Sequence, residues 1–290
     1  MIKWSLGLNK NHYWLTIINL RLLTILILVA LGIAQPASLA TAQEPEDIET
    51  QALNWECIRL TNKLRATHSL PPLKAEPILI GTARAHSQDM AARGYVAHTT
   101  PEGIKLLNRL QAAGYHPTGY YSENIFAGWQ ATPEIAIQWW YDEEPPDDWH
   151  RRNLLSVNLR EFGCGVYLDS DSTYSYFTQD FGQRPGVFPV IINREAVSTT
   201  RETVSLYLYG QSWGATEMMF SENANFEKAS WQPFDPISTW TLSPGPGQKT
   251  IYAQIRNASG EVRGPVFDSI LAMTQPYHGY LPLILKPFDS

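Results

Sequence analysis

Residues 122–155, SENIFAGWQATPEIAIQWWYDEEPPDDWHRRNLL, decide most of the fold. Thr132-Pro133-Glu134 opens a helix with a capping residue, then a proline at the first helical position, then an acid in the first turn. The helix runs on through Ile135 and the core-packing pair Trp139-Trp140 until Pro145-Pro146 forbids continuation. Upstream, Leu53, Ile58, Leu60 and Leu64 fall at helical spacing and predict a helix over Leu53–Ala66, ended by Ser69-Leu70-Pro71-Pro72. Pro77 opens another that reaches about Ala92 and is stopped by Gly94. Downstream, Gly163–Leu168 and Tyr174–Asp180 read as strands. Helices first and a short antiparallel sheet after make an α+β pattern.

The character changes around Gly182–Pro189. Val204, Leu206 and Leu208 alternate with Ser205, Tyr207 and Tyr209, and Ile251, Ala253 and Ile255 alternate with Tyr252, Gln254 and Arg256. Turn clusters at Ser243–Gly247 and Asn257–Gly260 separate such runs, which is the signature of a β-sandwich. The boundary falls near Arg184. Gly210-Gln211-Ser212-Trp213-Gly214 spells a nucleophile elbow, but that motif needs a buried strand, a sharp turn and a supporting helix. The alternating strand before it is half exposed and about eighty residues cannot house the hydrolase fold, so Ser212 is read as a decoy.

The chain has 290 residues, 44% hydrophobic and 17% charged, with 10 Trp, 14 Tyr and 10 Phe, which excludes a disordered chain. A net charge of −6 excludes a phosphate-tracking basic surface, and no nucleic-acid partner is expected. The first 42 residues have the order of a signal peptide: Lys3, Lys10 and Arg21, then the apolar run Leu22–Ala34, then Ala40-Thr41-Ala42. An uncleaved anchor is the alternative, although the run is short for a span. Cleavage removes three cations and no acid, taking the net charge from −6 to −9. Export puts Cys57 and Cys164 in an oxidising setting, where a disulfide and two buried thiols are the competing readings. The terminal segment around Tyr280–Lys286 reads as a docked strand or a surface-retention signal.

Four ionisable residues stand out: His98 in AHTTPEG, Glu123 in SENI, Glu143 in WWYDEE and His150 in HRRNLL. With LTNKLRATHSLPPL, ARAHSQDMAARGYVAH, RLQAAGY, FGCGVYL and YFTQDFG in this order, the chain from about Leu53 to Gly182 resembles the CAP superfamily (SCP/PR-1-like), bacterial branch. The resemblance implies an α-β-α sandwich whose central cavity is lined by His98, Glu123, Glu143 and His150, with Glu144 the lesser claimant to the third place. Trp149 stands where the family has a small residue and is expected to narrow the cavity. The region from about Pro189 to Leu271 resembles an immunoglobulin-like or fibronectin-like accessory sandwich.

The expected layout is a signal peptide (1–42), an acidic spacer (43–51), a CAP domain (52–184), an all-β immunoglobulin-like sandwich (187–273) and a tail (274–290). Histidine and carboxylate together are the donor set of open zinc sites, so zinc is the candidate ion, held by His98, His150, Glu123 and Glu143. A buried His–Glu hydrogen-bond network is the competing reading, and no catalytic residue is assigned. The expected function is extracellular or cell-surface binding of a wall component, a protein or a lipid. A metal-dependent hydrolase of peptide or wall material and a lipid carrier are the alternatives. No span is expected in the mature chain.

Overall fold

The computed structural model describes residues 48–169 and 173–275. The signal peptide, most of the spacer and nearly all of the tail lie outside them. The described residues all belong to one compact unit.

Helix α1 spans Ile48–Thr67, five residues longer at its start than the apolar spacing predicts and reaching into the stretch read as spacer. Helix α2 spans Pro77–Arg93, with Glu76 accepting from the Leu79 N–H at 2.9 Å and Gly94 closing it at φ 67. The capped helix α4, Pro133–Tyr141, begins where Thr132 predicts, its hydroxyl accepting from the Ile135 N–H. In helices α3 (Leu106–Ala112) and α5 (Trp149–Leu155) the residue just before the helix makes no side-chain cap, and each has seven residues, too little periodicity to be read from sequence.

The first sheet has four strands in the order β1-β3-β4-β2: β1 Lys74–Ala75, β2 Tyr121–Trp129, β3 Glu161–Asp169 and β4 Tyr174–Gly182. β1 pairs parallel with β3, and the other pairs are antiparallel. Strand alternation sorts the helices onto two faces. A Cβ at Gly163 or Gly165 would collide with the α2 backbone, at Leu79–Ile80 and at Ala83–Arg84. Cys164, between them, points the other way and is disulfide-bonded to Cys57 of α1, with Cα atoms 6.2 Å apart. On β4, Thr178 and Asp180 bond Ser87 and Thr82 of α2, while Gln179 donates to Thr61 of α1 at 2.8 Å. The sheet therefore lies between α2 on one side and α1 with α4 on the other.

The remaining strands form two sheets, one of order β10-β7-β5 and one of order β6-β12-β11-β8-β9. Their ranges are β5 Val190–Ile192, β6 Ser198–Thr199, β7 Thr203–Leu208, β8 Ala215–Ser221, β9 Gln232–Pro233, β10 Ile237–Thr241, β11 Gly247–Asn257 and β12 Val262–Ala272. Val190, Leu206, Leu208, Met218, Ile251 and Ile255 share the core of this region, and the alternating residues between them face out, as the sequence predicts. Ser212 sits in a short 3₁₀ turn followed by strand β8, not by a helix. Its hydroxyl accepts from Arg160 at 3.0 Å, so the elbow geometry is absent there.

The two regions are joined by polar contacts. Lys74 Nζ meets Glu195 at 2.9 Å and Asp268 at 2.7 Å, and all three side chains are largely buried. Tyr209 donates its hydroxyl to Pro72 O at 2.9 Å, and Asn62 donates to Arg194 O at 3.3 Å.

Candidate functional site

β2 is the edge strand of the first sheet, and the site wraps around it. Glu123 and Asn124 are neighbours on β2 and so point to opposite faces. Glu123 faces the α2 side, where His98 from the loop after α2 donates its Nδ1–H to Oε1 at 2.8 Å. Arg109 of α3 forms an ion pair with Oε2 and donates to His98 O at 2.9 Å, so one guanidinium fixes both partners. From the other face, Glu143 in the loop after α4 pairs with Nδ1 of His150 and accepts the His150 N–H at 2.8 Å, which caps α5. Asn153 of α5 donates to Asn124 at 2.8 Å, and Asn124 donates to His150 O at 3.2 Å, pinning α5 to the edge strand. The far end of α5 is held by the fully buried Arg65, which donates to Leu154 O at 2.7 Å and Ser156 O at 3.0 Å.

The four residues named from sequence thus come together as two His–Glu pairs, with the imidazoles stacked at 6.2 Å between centroids. Glu144 stays outside, exposed and 4.0 Å from Arg151. Glu123 is 2% exposed and His98 is 54% exposed, so the carboxylate forms the floor and the imidazole the lip. Burial alone raises the Glu123 pKa. The His98 hydrogen bond and the Arg109 charge outweigh it and hold that pKa below the usual carboxylate value. Beneath lies His86, whose Nε2 is 2.9 Å from Ala97 O; burial holds its pKa down.

Two expectations about tryptophan are corrected. Trp140 is in the core and donates to Ile125 O at 3.0 Å, but Trp139 is half exposed, tilted against Phe126 and beside His150. Trp149 does not narrow the cavity: it is exposed, with the Arg152 guanidinium 4.9 Å above its ring. A cleft of about 450 Å³ opens beside His98 and Glu123, between the His98 loop, residues 105–108 at the start of α3, and Tyr121–Ser122 of β2. Sequence reasoning missed Arg109. RLQAAGY was recognised as a motif, but nothing local signals that its arginine reaches back to Glu123.

Each imidazole uses Nδ1 on a carboxylate, the arrangement that orients a metal-binding histidine through its other nitrogen. That leaves two Nε2 atoms, since Glu123 is taken by His98 and Arg109, and Glu143 by His150. Among the described residues no group of three His, Cys, Asp or Glu side chains could hold a metal ion. Two protein ligands fall short of the three of a catalytic zinc and the four of a structural one.

Residues 58–181 match the family described as the cysteine-rich secretory protein family, CAP. The chain is 33% identical over 143 residues to the uncharacterized protein YkwD of Bacillus subtilis (strain 168), covering 49% of this chain and 50% of that protein. To the uncharacterized membrane protein YlbC of the same organism it is 29% identical over 129 residues, covering 44% of this chain and 34% of that protein. The chain thus spans half or less of the length of these curated relatives. Among solved structures it is similar to an extracellular protein containing a SCP domain from Bacillus anthracis str. Ames. That likeness has 30% identity and a TM-score of 0.41, over 47% of this chain and 41% of that one. Among the described residues no helix is long and apolar enough to cross a membrane.

Proposed function

We propose that this chain is an exported protein whose CAP domain, over residues 52–184, binds a polar extracellular ligand in the cleft beside His98 and Glu123. Residues 187–273 act as an immunoglobulin-like accessory sandwich. The observation that carries this reading is the cleft itself. It ends on a buried carboxylate, an imidazole and Ser122, and is walled by Lys105 and Asn108 as well as by Leu106, Leu107 and Tyr121. A cavity with several convergent polar groups on a partly apolar wall suits a ligand with hydrogen-bonding groups, such as a wall peptide or muropeptide, better than an acyl chain. A lipid carrier is therefore the weaker reading. The hydrolase reading lacks a third protein ligand for zinc among the described residues.

The test is calorimetry near neutral pH with isolated muropeptides against the mature protein and its Lys105→Ala/Tyr121→Ala variant. Neither residue supports the fold, so the variant should stay folded and bind at least about tenfold more weakly, a loss of about 1.4 kcal/mol. Unchanged affinity would move the ligand elsewhere, and no heat with the wild type would remove wall fragments as the ligand. Zinc titrated in parallel should give no tight, saturable binding. Tight binding that vanishes in His98→Ala/His150→Ala would restore the metal reading.

A further inference from the structure

Among the residues that line the cleft beside His98, Glu123 is the one carboxylate and Lys105 the one ammonium. The carboxylate is already occupied. Its Oε1 accepts from His98, its Oε2 is paired with Arg109, and the side chain is buried. The ammonium is free: Lys105 is exposed, and its Nζ makes no hydrogen bond or ion pair among the described residues. Glu102, the nearest acid along the chain, is taken by Arg93. The cleft therefore offers a ligand one uncommitted cation beside a carboxylate that is neutralised.

Lys105 is also an odd residue for its place. It precedes α3 as the N-cap, where Ser, Thr, Asp or Asn would accept from a first-turn N–H. A lysine side chain only donates, so it cannot cap, and its charge lies at the helix end that disfavours a cation. The helix gains nothing from this side chain, and a locally unfavourable residue is expected where a site needs it. Asn108 stands three residues on, at the position whose side chain reaches back toward the N-cap. Its carboxamide is exposed, has no partner among the described residues, and carries both a donor and an acceptor. Across the cleft on β2, Ser122 Oγ is buried with no partner among the described residues, a costly state unless a group in the cleft meets it.

On the reading of this cleft as the binding site, we propose that it recognises the free carboxyl terminus of a peptide. Lys105 holds the carboxylate. The Asn108 carboxamide pairs with the last peptide group, and the Ser122 hydroxyl meets a peptide group further along. Leu106, Leu107 and Tyr121 flank the ligand's side chains. A peptide end supplies an anion followed at once by amides, whereas a neutral sugar lacks the anion and an acyl chain lacks the amides. An acidic side chain carries the same carboxylate, but on a flexible stem away from the peptide group. The terminus is the better match to an ammonium and a carboxamide held side by side.

The test is calorimetry near neutral pH on the mature protein with three forms of one synthetic muropeptide. One has all carboxylates free, one has only the C-terminal carboxyl converted to the primary amide, and one has only the side-chain carboxyls so converted. Terminal amidation should weaken binding at least about tenfold, the order expected for losing a charge-assisted hydrogen bond, and side-chain amidation should change it little. Lys105→Met keeps an aliphatic stem without the ammonium. It should bind the free and terminally amidated forms alike, as weakly as the wild type binds the terminal amide. Asn108→Leu should weaken all three forms by a common factor and keep the preference for a free terminus. If Lys105→Met does not fold, the three wild-type titrations decide alone. Equal binding of the free and terminally amidated forms overturns the proposal but leaves the cleft as the site, provided Lys105→Ala/Tyr121→Ala still weakens both. A preference lost on side-chain amidation, or a terminal preference that Lys105→Met retains, overturns it as well. No binding of any form removes the wall-peptide reading and this one together.

Discussion

Lys74→Met should lose about 3–5 kcal/mol of stability, the range for breaking a buried ion pair by removing one partner. Without the ammonium, Glu195 and Asp268 would lose the cation that they share. Burial lowers the Lys74 pKa, but the two carboxylates more than reverse this and raise it overall, so the group is charged throughout the neutral range. Asp268 has other work, accepting the Ile192 N–H at 2.7 Å and the Ser269 N–H at 2.8 Å, so it cannot simply turn away. Glu195 ends a run of three positive-φ residues, Asn193, Arg194 and Glu195 at 45°, 57° and 70°. Left-handed backbone costs about 1–2 kcal/mol per L-residue. The contacts across the junction, Lys74 to Glu195 and Asn62 to Arg194 O, are what retain it. Urea unfolding followed by tryptophan fluorescence reads the loss. Limited trypsin digestion reads its location, since cleavage between Phe181 and Ile192 should be resisted by the wild type and appear in the variant. Adding Glu195→Gln and Asp268→Asn should recover much of the loss, because neutral partners no longer need the cation. A loss below about 1 kcal/mol for Lys74→Met would mean that the ion cluster adds no more than a surface pair.

Cys57→Ala/Cys164→Ala should lose about 2–5 kcal/mol. The bridge spans 107 residues of sequence, and for a loop of about that length the chain-entropy treatment gives close to 4.7 kcal/mol, before any strain is subtracted. Both cysteines are fully buried among Ile58, Leu73, Trp140 and Phe177. Alanine is the right replacement because serine would bury two hydroxyls. The same burial shields the bond, so a thiol reductant at neutral pH should leave it intact until urea opens the domain. The midpoints of oxidised, reduced and double-alanine protein separate the two effects: the reduced form and the variant should unfold together, well below the oxidised form. Coincidence of all three would remove the bridge as a source of stability.

Local signals were legible and long-range ones were not. The Thr132 cap, the Gly94 stop and the alternation at Val204–Leu208 each rest on a few adjacent residues, and each appears where those residues put it. His98, Glu123, Glu143 and His150 were reached through motif order, because four separate segments share no local pattern. Arg109 was invisible for a physical reason. It acts across 14 residues from a helix too short to declare itself. Trp139 was misplaced because adjacent residues on a helix point about 100° apart, so a Trp-Trp pair cannot both face the core.

The contact of α2 with Gly163 and Gly165 has a consequence for engineering. Most core interfaces tolerate exchange, because a bulkier side chain on one element can be matched by a smaller one opposite. At these two positions main chain lies on main chain, and there is no side chain to trade. The layer that backs Glu123, with Thr82 and His86 on α2, is thus a fixed datum that compensating mutation cannot lower or raise. A library meant to change what the cleft accepts should place its diversity on the walls, at Lys105, Leu107, Asn108 and Tyr121, and leave both glycines alone.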